Sequence, residues 1–147
     1  MRFTEAKNLT VISRSTAEKL GEIRRLVIDP GVRRVVAVQV SGRRKGRVAS
    51  WDRFTGFGPD AAVVDADDAV RDPTGDREER TVKGDLDPLD KLVLTDRGDA
   101  CGKIRDIEFD AGTGELLTLI TEQDPIDGSR LRAIGSYAVI VFSPSEH

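Results

Sequence analysis

Apolar and polar residues alternate in several short stretches of this 147-residue chain, and one such stretch occurs twice. Residues 20–40 read LGEIRRLVIDPGVRRVVAVQV, and residues 101–121 read CGKIRDIEFDAGTGELLTLIT. Placing Gly21 on Gly102, an offset of 81, brings the apolar positions of the two stretches into phase. A strand–turn–strand pattern that recurs at a fixed offset predicts tandem copies of one small β-rich unit.

The spacing of the apolar residues also predicts an irregularity within each copy. Alternation with period two around Leu26 and Ile28, and around Ile107 and Phe109, is typical of half-buried strands. The spacing between the apolar residues Ile23 and Leu26 is three positions instead of two, and Ile104 and Ile107 have the same spacing in the second copy. We therefore expect a β-bulge or a sharp twist at this point in both copies.

A tight turn follows each of these strands and predicts a hairpin. Asp29-Pro-Gly31 reads as a type II turn, in which Gly31 takes the positive φ angle. The segment from Asp110 to Gly114 replaces it in the second copy. Valine-rich residues 35–40 supply the second strand of the first hairpin.

Further short strands complete each copy. Leu9–Ile12 corresponds to Lys91–Leu94, and Ala61–Val64 corresponds to Ala138–Val141. Five or six short strands with tight turns are typical of a small barrel. The sequence thus predicts an all-β protein with two tandem small β-barrels joined by an acidic linker.

Charge divides the chain into the same parts. Residues 1–64 hold 13 Lys and Arg against 6 Asp and Glu, a net of +7, and form the predicted basic repeat. Residues 65–88 are an acidic segment with Pro and Gly, net −5, which we predict to be an exposed linker. Residues 89–147, net −5, form the predicted acidic repeat. Such a dipolar molecule can associate with itself or offer its two ends to different partners.

These motifs resemble the PRC-barrel family, which includes domains of the photosynthetic reaction-centre H subunit and of the ribosome maturation factor RimM. The resemblance rests on the repeated stretch and on its close, apolar-Gly-x-x-Ala-x-Val-Val, seen as Phe57–Val64 and Ile134–Val141. It covers both copies and implies, for each, a six-stranded barrel used as an interaction module, often without a catalytic site.

Catalytic and metal-binding patterns are weak. The only histidine, His147, stands at the last position, so no fixed nucleophile–base pair is expected, and Cys101 aligns with Leu20 as a small buried apolar residue. The acidic residues Asp65, Asp67, Asp68 and Asp72 lack the pattern of a calcium loop. No phosphate loop or dinucleotide fingerprint is present. We expect no enzyme activity, cofactor, metal or small-molecule substrate.

Basic residues of the first copy are the candidate interaction surface. These residues are Arg43, Arg44, Lys45 and Arg47 in one loop, with Arg24, Arg25, Arg33, Arg34 and the neighbouring Trp51. The arginines can dock on an acidic protein, such as the acidic half of another copy, or neutralise phosphates. Trp51, Phe54 and Phe57 can stack on bases or close the core of the barrel. The plainest interpretation is that the arginines keep a small barrel in solution.

The sequence favours a non-catalytic adaptor that binds another protein and associates with itself, with a homodimer expected. The alternative is an RNA- or ribosome-associated factor that uses the basic loop. No apolar run approaches the ~20 residues of a membrane helix. The first ten residues lack the apolar segment of a signal peptide, so we expect a cytoplasmic protein without membrane contact.

Overall fold

The computed structural model describes residues 1–42 and 47–144 as two β-sheets with two short α-helices. The helices are α1 (Phe3–Ala6) and α2 (Gly75–Val82). The first sheet contains β1 (Thr10–Ser13), β2 (Lys19–Asp29), β3 (Arg34–Ser41), β4 (Arg47–Ser50), β5 (Phe54–Phe57), β6 (Ala61–Val64) and β7 (Val70–Arg71). The second contains β8 (Leu92–Thr95), β9 (Ala100–Phe109), β10 (Leu116–Thr121), β11 (Ile126–Asp127), β12 (Leu131–Ile134) and β13 (Ala138–Val141).

The two sheets have the same strand order. The first runs β5-β6-β1-β2-β3-β4-β7 and the second runs β12-β13-β8-β9-β10-β11, so β7 is the one strand of the first sheet that has no counterpart among the described residues. In each sheet one pair is parallel, β1 with β6 and β8 with β13, while the other pairs are antiparallel. The predicted all-β class is confirmed.

The bulge expected in each copy is also confirmed. Arg24 is the extra residue of β2, because its two neighbours in sequence face adjacent residues of β3. Arg105 is the extra residue of β9 in the same way. The two arginines are 81 positions apart, which is the offset of the sequence repeat.

The predicted type II turn after β2 is wrong. Gly31 does not take a positive φ angle, whereas Arg33 (φ 54°) and its counterpart Gly114 (φ 81°) do. The reason lies in the aspartate that begins each turn: the Asp29 carboxylate accepts a hydrogen bond from the Gly31 amide at 2.9 Å, as the Asp110 carboxylate does in the second copy. This local bond closes the start of the loop, and the left-handed residue comes at its end.

Neither sheet closes into the predicted barrel within the described residues. Strands β5 and β7 are the edges of the first sheet, and β11 and β12 are the edges of the second. A unit of about 60 residues is near the lower limit for burying a self-sufficient core. The two sheets instead contribute buried side chains to one common hydrophobic core.

The two hairpin turns meet through reciprocal backbone hydrogen bonds. The Val35 amide donates to the Gly114 carbonyl at 2.8 Å, and the Leu116 amide donates to the Arg33 carbonyl at 2.9 Å. Each residue of one bond is the counterpart of a residue of the other, at the offset of 81. The contact therefore has local twofold pseudosymmetry.

Residues 65–88, predicted to be an exposed linker, contain regular structure. Strand β7 extends the first sheet, and helix α2 lies against the outer face of that sheet. Val82 of α2 packs against the buried residues Val27, Ala37 and Val48. One apolar side chain and several ion pairs hold the helix in place. The sequence of the segment therefore shows no apolar periodicity from which the helix could be predicted.

The strongest of these ion pairs joins β7 to α2. Two guanidinium nitrogens of Arg71 donate to the two carboxylate oxygens of Glu78, at 2.7 and 3.0 Å. The Thr74 amide donates to the same carboxylate at 2.9 Å. Hydrogen bonding from Arg71, and then from Thr74, lowers the pKa of Glu78. A second pair, Arg77 with Asp29 at 3.2 Å, ties the helix to the end of β2.

We expect Glu78→Gln to lower the free energy of unfolding by about 1 kcal/mol at neutral pH, since it weakens charge-assisted hydrogen bonds in a partly buried site. Because folding lowers the pKa of Glu78, its contribution is complete above the unfolded value of about 4.3 and is lost as pH falls through the folded value. Urea unfolding at several pH values checks this. Glu79→Gln, on an exposed neighbour, is the control. A difference that persists unchanged at low pH would contradict the assignment.

Candidate functional site

Four basic side chains surround two adjoining cavities at one end of the first sheet. A cavity of about 670 Å³ is lined by Arg24, Arg25 and Lys83. A second, of about 230 Å³, is lined by Lys7, Arg24 and Arg25. We call Lys7, Arg24, Arg25 and Lys83 the basic face.

Local structure explains why these residues come together. Neighbouring residues in a regular strand point to opposite faces, but the bulge at Arg24 breaks this alternation, and Arg24 and Arg25 line the same cavities. Lys7 directly follows α1 and Lys83 directly follows α2. The ends of both helices therefore supply cations to the bulged part of β2.

Arg25 is the anchored member of the basic face. Its Nη1 donates to Gln39 Oε1 at 3.2 Å and to the Val82 carbonyl at 3.4 Å. Its Nε lies 3.6 Å from Asp87 Oδ2 and is buried without a hydrogen bond. These contacts hold the guanidinium between β3 and the end of α2, so its position is fixed before any ligand arrives.

The other three cations are uncompensated. Arg24 is exposed and makes no hydrogen bond or ion pair with any residue that the structure describes, and within residues 1–42 and 47–144 Lys7 and Lys83 make no ion pair. Asp87 is the one carboxylate among the described residues that lines either cavity. The arrangement attracts anionic groups and offers them nitrogen donors.

Arg33 and Arg34, expected on the same surface, lie elsewhere. They occupy the turn end of the β2–β3 hairpin, where Arg33 Nε donates to the Leu131 carbonyl at 3.1 Å and the backbone of Arg34 pairs with that of Glu115 in an isolated antiparallel β-bridge. Arg24 is five residues from the end of β2, roughly 16 Å along the strand. The structure therefore assigns Arg33 and Arg34 to the contact between the two units.

The loop arginines divide in the same way. Arg47 begins β4, and its Nη2 donates to the Val70 carbonyl at 2.6 Å, which ties β4 to β7. Arg43, Arg44 and Lys45, the other loop residues of the candidate interaction surface, lie outside the described residues.

Trp51 and the phenylalanines near it form an aromatic cluster in the shared core. The Trp51 ring lies 5.0 Å from Phe57 and 5.9 Å from Phe54, centroid to centroid. It also lies 6.1 Å from Phe109 of the second unit. Trp51 therefore packs where the two units meet, and it lines neither cavity of the basic face.

Three of the four acidic residues considered for metal binding, Asp65, Asp67 and Asp68, have side-chain partners in the protein. Asp65 and Asp68 both bind Arg53, at 2.9 and 2.6 Å, and these hydrogen bonds, Asp68 first, raise the pKa of Arg53. Asp67 accepts a hydrogen bond from Thr16 at 2.8 Å, and its pKa is lowered by Ser13 and then by Thr16. No group of three or more metal-ligating side chains converges within the described ranges.

The structure also bears on Cys101, on His147 and on the question of a membrane-spanning helix. Cys101 is half-buried against the common core, and its thiol lies 3.8 Å from the Asp99 carbonyl. His147 is outside the described residues. In the part of the chain that the structure describes, no helix has the length and apolar character needed to cross a bilayer.

Lys7 and Lys83 join the basic face although no sequence pattern singles them out. They are far from Arg24 in sequence, and only the folding of α1 and α2 brings them near β2. Lys7 precedes Asn8, which is the counterpart of Asp90 at an offset of 82, and Asn8 and Asp90 both take positive φ angles in the structure. That irregular backbone marks the point where the chain turns beside the bulge.

Comparison with known families gives a match in the first unit. Residues 1–71 match the family model of the PRC-barrel domain. The matched segment includes α1 and all seven strands of the first sheet, and it ends at Arg71 in β7. A search of curated proteins gives no match.

Proposed function

We propose that the chain is a non-catalytic protein-interaction module, and the match of residues 1–71 to the PRC-barrel domain supports this. Its basic face is the binding surface, and its partner presents carboxylates. The observation that carries this proposal is a group of three cations, Lys7, Arg24 and Lys83, that have no ion-pair partner among the described residues. They surround cavities whose described lining includes one carboxylate, that of Asp87. Charges arranged in this way speed the encounter with an oppositely charged partner and select for it.

The proposal extends to self-association. We assign residues 89–147 as a second, diverged PRC-barrel unit, since their sheet repeats the strand order of the first. This unit carries a net charge of −5, against +7 for residues 1–64. The basic face of one copy can therefore dock on the acidic unit of another, and two reciprocal contacts close a cytoplasmic homodimer.

RNA or ribosome association receives less support. That hypothesis needs aromatic rings next to the basic residues, so that bases stack while phosphates are neutralised. Trp51 packs on Phe57 and Phe109 in the shared core instead. We therefore treat nucleic acid as a competing ligand, and an oligonucleotide competition experiment tests it.

We expect the chain to bind immobilised polyglutamate at about 0.1 M salt and to lose this binding at about 1 M, because salt screens exposed charges. The variant Lys7→Glu with Lys83→Glu should weaken binding by at least about tenfold, which corresponds to 1.4 kcal/mol. Arg14→Glu paired with Lys19→Glu is the matched control: it reverses two exposed charges of the same unit outside the basic face. Biolayer interferometry measures all three proteins.

Sedimentation velocity at the same two salt concentrations tests self-association. Dimers at low salt that separate at high salt, and that are absent in the Lys7→Glu/Lys83→Glu variant, are expected. A monomer under both conditions would remove the homodimer and leave the binding of acidic partners to stand on the polyglutamate result. Equal polyglutamate binding by the variant and its control would contradict the assignment of the basic face.

A further inference from the structure

The two units carry an arginine at the same bulge, in the same local backbone. The carbonyl of Ile23, just before Arg24, accepts a hydrogen bond from the Asn8 amide at 2.8 Å. The carbonyl of Ile104, just before Arg105, accepts one from the Asp90 amide, also at 2.8 Å. Asn8 and Asp90 have φ angles of 72° and 67°. The second unit is therefore an internal template for what this position binds.

In the second unit, Arg105 is held between two carboxylates. Its Nη1 donates to Asp90 Oδ1 at 3.1 Å and its Nη2 donates to Glu122 Oε2 at 2.6 Å. The other oxygen of Glu122 accepts a hydrogen bond from the Lys103 amide at 2.9 Å. That amide and the arginine together lower the pKa of Glu122, so this carboxylate stays charged.

In the first unit, neutral residues replace both carboxylates. Asn8 is the counterpart of Asp90 at an offset of 82, the offset between β1 and β8, and Ser41 is the counterpart of Glu122 at the offset of 81. Strand pairing supports the correspondence of Ser41 with Glu122. Ser41 pairs with Glu22 of β2, and the Glu122 amide donates a hydrogen bond to the carbonyl of Lys103, which is the counterpart of Glu22. Arg24 thus occupies the same place in the bulge as Arg105 but has no carboxylate partner among the described residues.

The surroundings of Arg24 are more basic than those of Arg105. Arg25 stands where the second unit has Asp106, and Lys7 lines the same cavity of about 230 Å³. Asp87, the carboxylate at this cavity, is already paired with Arg25. An arginine that is exposed and unpaired contributes little to stability, so the retained guanidinium is available to a ligand.

We propose that Lys7, Asn8, Arg24, Arg25 and Ser41 form a site, the Arg24 site, that binds two carboxylates of an acidic peptide segment in a partner protein. The two carboxylates take the places that Asp90 and Glu122 take around Arg105. The template favours a peptide over a single compact anion, because its carboxylates come from two separate strand ends. This inference rests on the proposed function and names the anchor within the basic face.

A labelled peptide that carries two aspartates separated by one glycine tests the site by fluorescence anisotropy. We expect Arg24→Gln to weaken binding by at least about tenfold. The double variant Asn8→Asp with Ser41→Glu should weaken it as strongly, because it rebuilds the internal carboxylates of the second unit. Arg105→Gln is the matched control and should leave peptide binding unchanged within about twofold. Urea unfolding of each variant shows that the fold is kept.

The outcomes separate this inference from the proposed function. If Arg24→Gln and the double variant bind the peptide as the wild type does, while Lys7→Glu/Lys83→Glu has lost polyglutamate, the basic face stands and the Arg24 site is wrong. If the wild type binds neither peptide nor polyglutamate, the proposed function fails first. A single-stranded oligonucleotide that displaces the peptide and binds more tightly through Arg24 would make the ligand a nucleic acid and overturn the peptide assignment.

Discussion

Replacing Phe109 by alanine should lower the free energy of unfolding by about 3–5 kcal/mol, since it opens a large cavity in a close-packed core. Phe109 is completely buried at the end of β9. Its ring lies 5.7 Å from Phe3, 6.0 Å from Phe57 and 6.1 Å from Trp51, all three in the first unit. The cavity would therefore form where the two units meet.

The position of Phe109 makes this variant a test of how the two units fold. If they share one core, truncation in the second unit destabilises the first, and Trp51 fluorescence and far-ultraviolet circular dichroism should report one common urea transition at a lower midpoint. Leu117→Ala is the control, because Leu117 is an exposed apolar residue of the same unit and should change stability by about 0.5 kcal/mol or less. A Trp51 transition that keeps the wild-type midpoint would contradict the shared core.

The regular parts of the fold could be predicted from sequence because they depend on short-range pattern. Period-two alternation fixes which side chains of a strand are buried, and the single three-residue step before Leu26 marks the bulge at Arg24. The repeat offset of 81 then carries the same features into the second unit, where the bulge is at Arg105. Both strands that end the two copies, Ala61–Val64 and Ala138–Val141, have the predicted bounds.

Features that depend on contacts between distant segments could not be predicted in this way. Whether a sheet closes on itself depends on what else covers its apolar face, and here each sheet shares its core with the other. Helix α2 has one apolar anchor, Val82, and is otherwise held by pairs such as Arg71 with Glu78. The pattern of apolar residues does not predict ion pairs between segments that are distant in sequence.

The candidate site shows the same limit. Arg24, Arg25, Arg33 and Arg34 are close in sequence, which predicts that they share one surface. Arg24 and Arg25 lie within β2, whereas Arg33 and Arg34 lie at the turn end of the same hairpin. The part of β2 between Arg24 and the turn is roughly 16 Å long. Lys7 and Lys83 reach Arg24 only through the folded positions of two helices. Arg33 and Arg34 were therefore wrongly included in the site because they are near Arg24 in sequence. Lys7 and Lys83 were missed because they are far from it in sequence.

Gly21 should be among the least replaceable residues of the chain, and we expect Gly21→Ala to lower the free energy of unfolding by about 4 kcal/mol. Gly21 is buried in β2 with a φ angle of 155°. A methyl group there would overlap the carbonyl oxygen of Ser41 and come within 2.7 Å of Val40 Cγ1. The oxygen belongs to the backbone of β3, so relief requires β2 and β3 to separate next to the bulge, where the basic face begins.

The repeat supplies the matched control for this variant. Gly102 is the counterpart of Gly21, with a φ angle of 83°, but a methyl group there would meet only flexible side-chain atoms, the nearest at 3.3 Å in Gln123. Gly102→Ala should therefore cost only the backbone strain of a left-handed alanine, about 1–2 kcal/mol. Urea unfolding of both variants measures the difference. Equal losses would mean that backbone conformation alone determines the cost, and that the close approach of β3 at Gly21 contributes nothing.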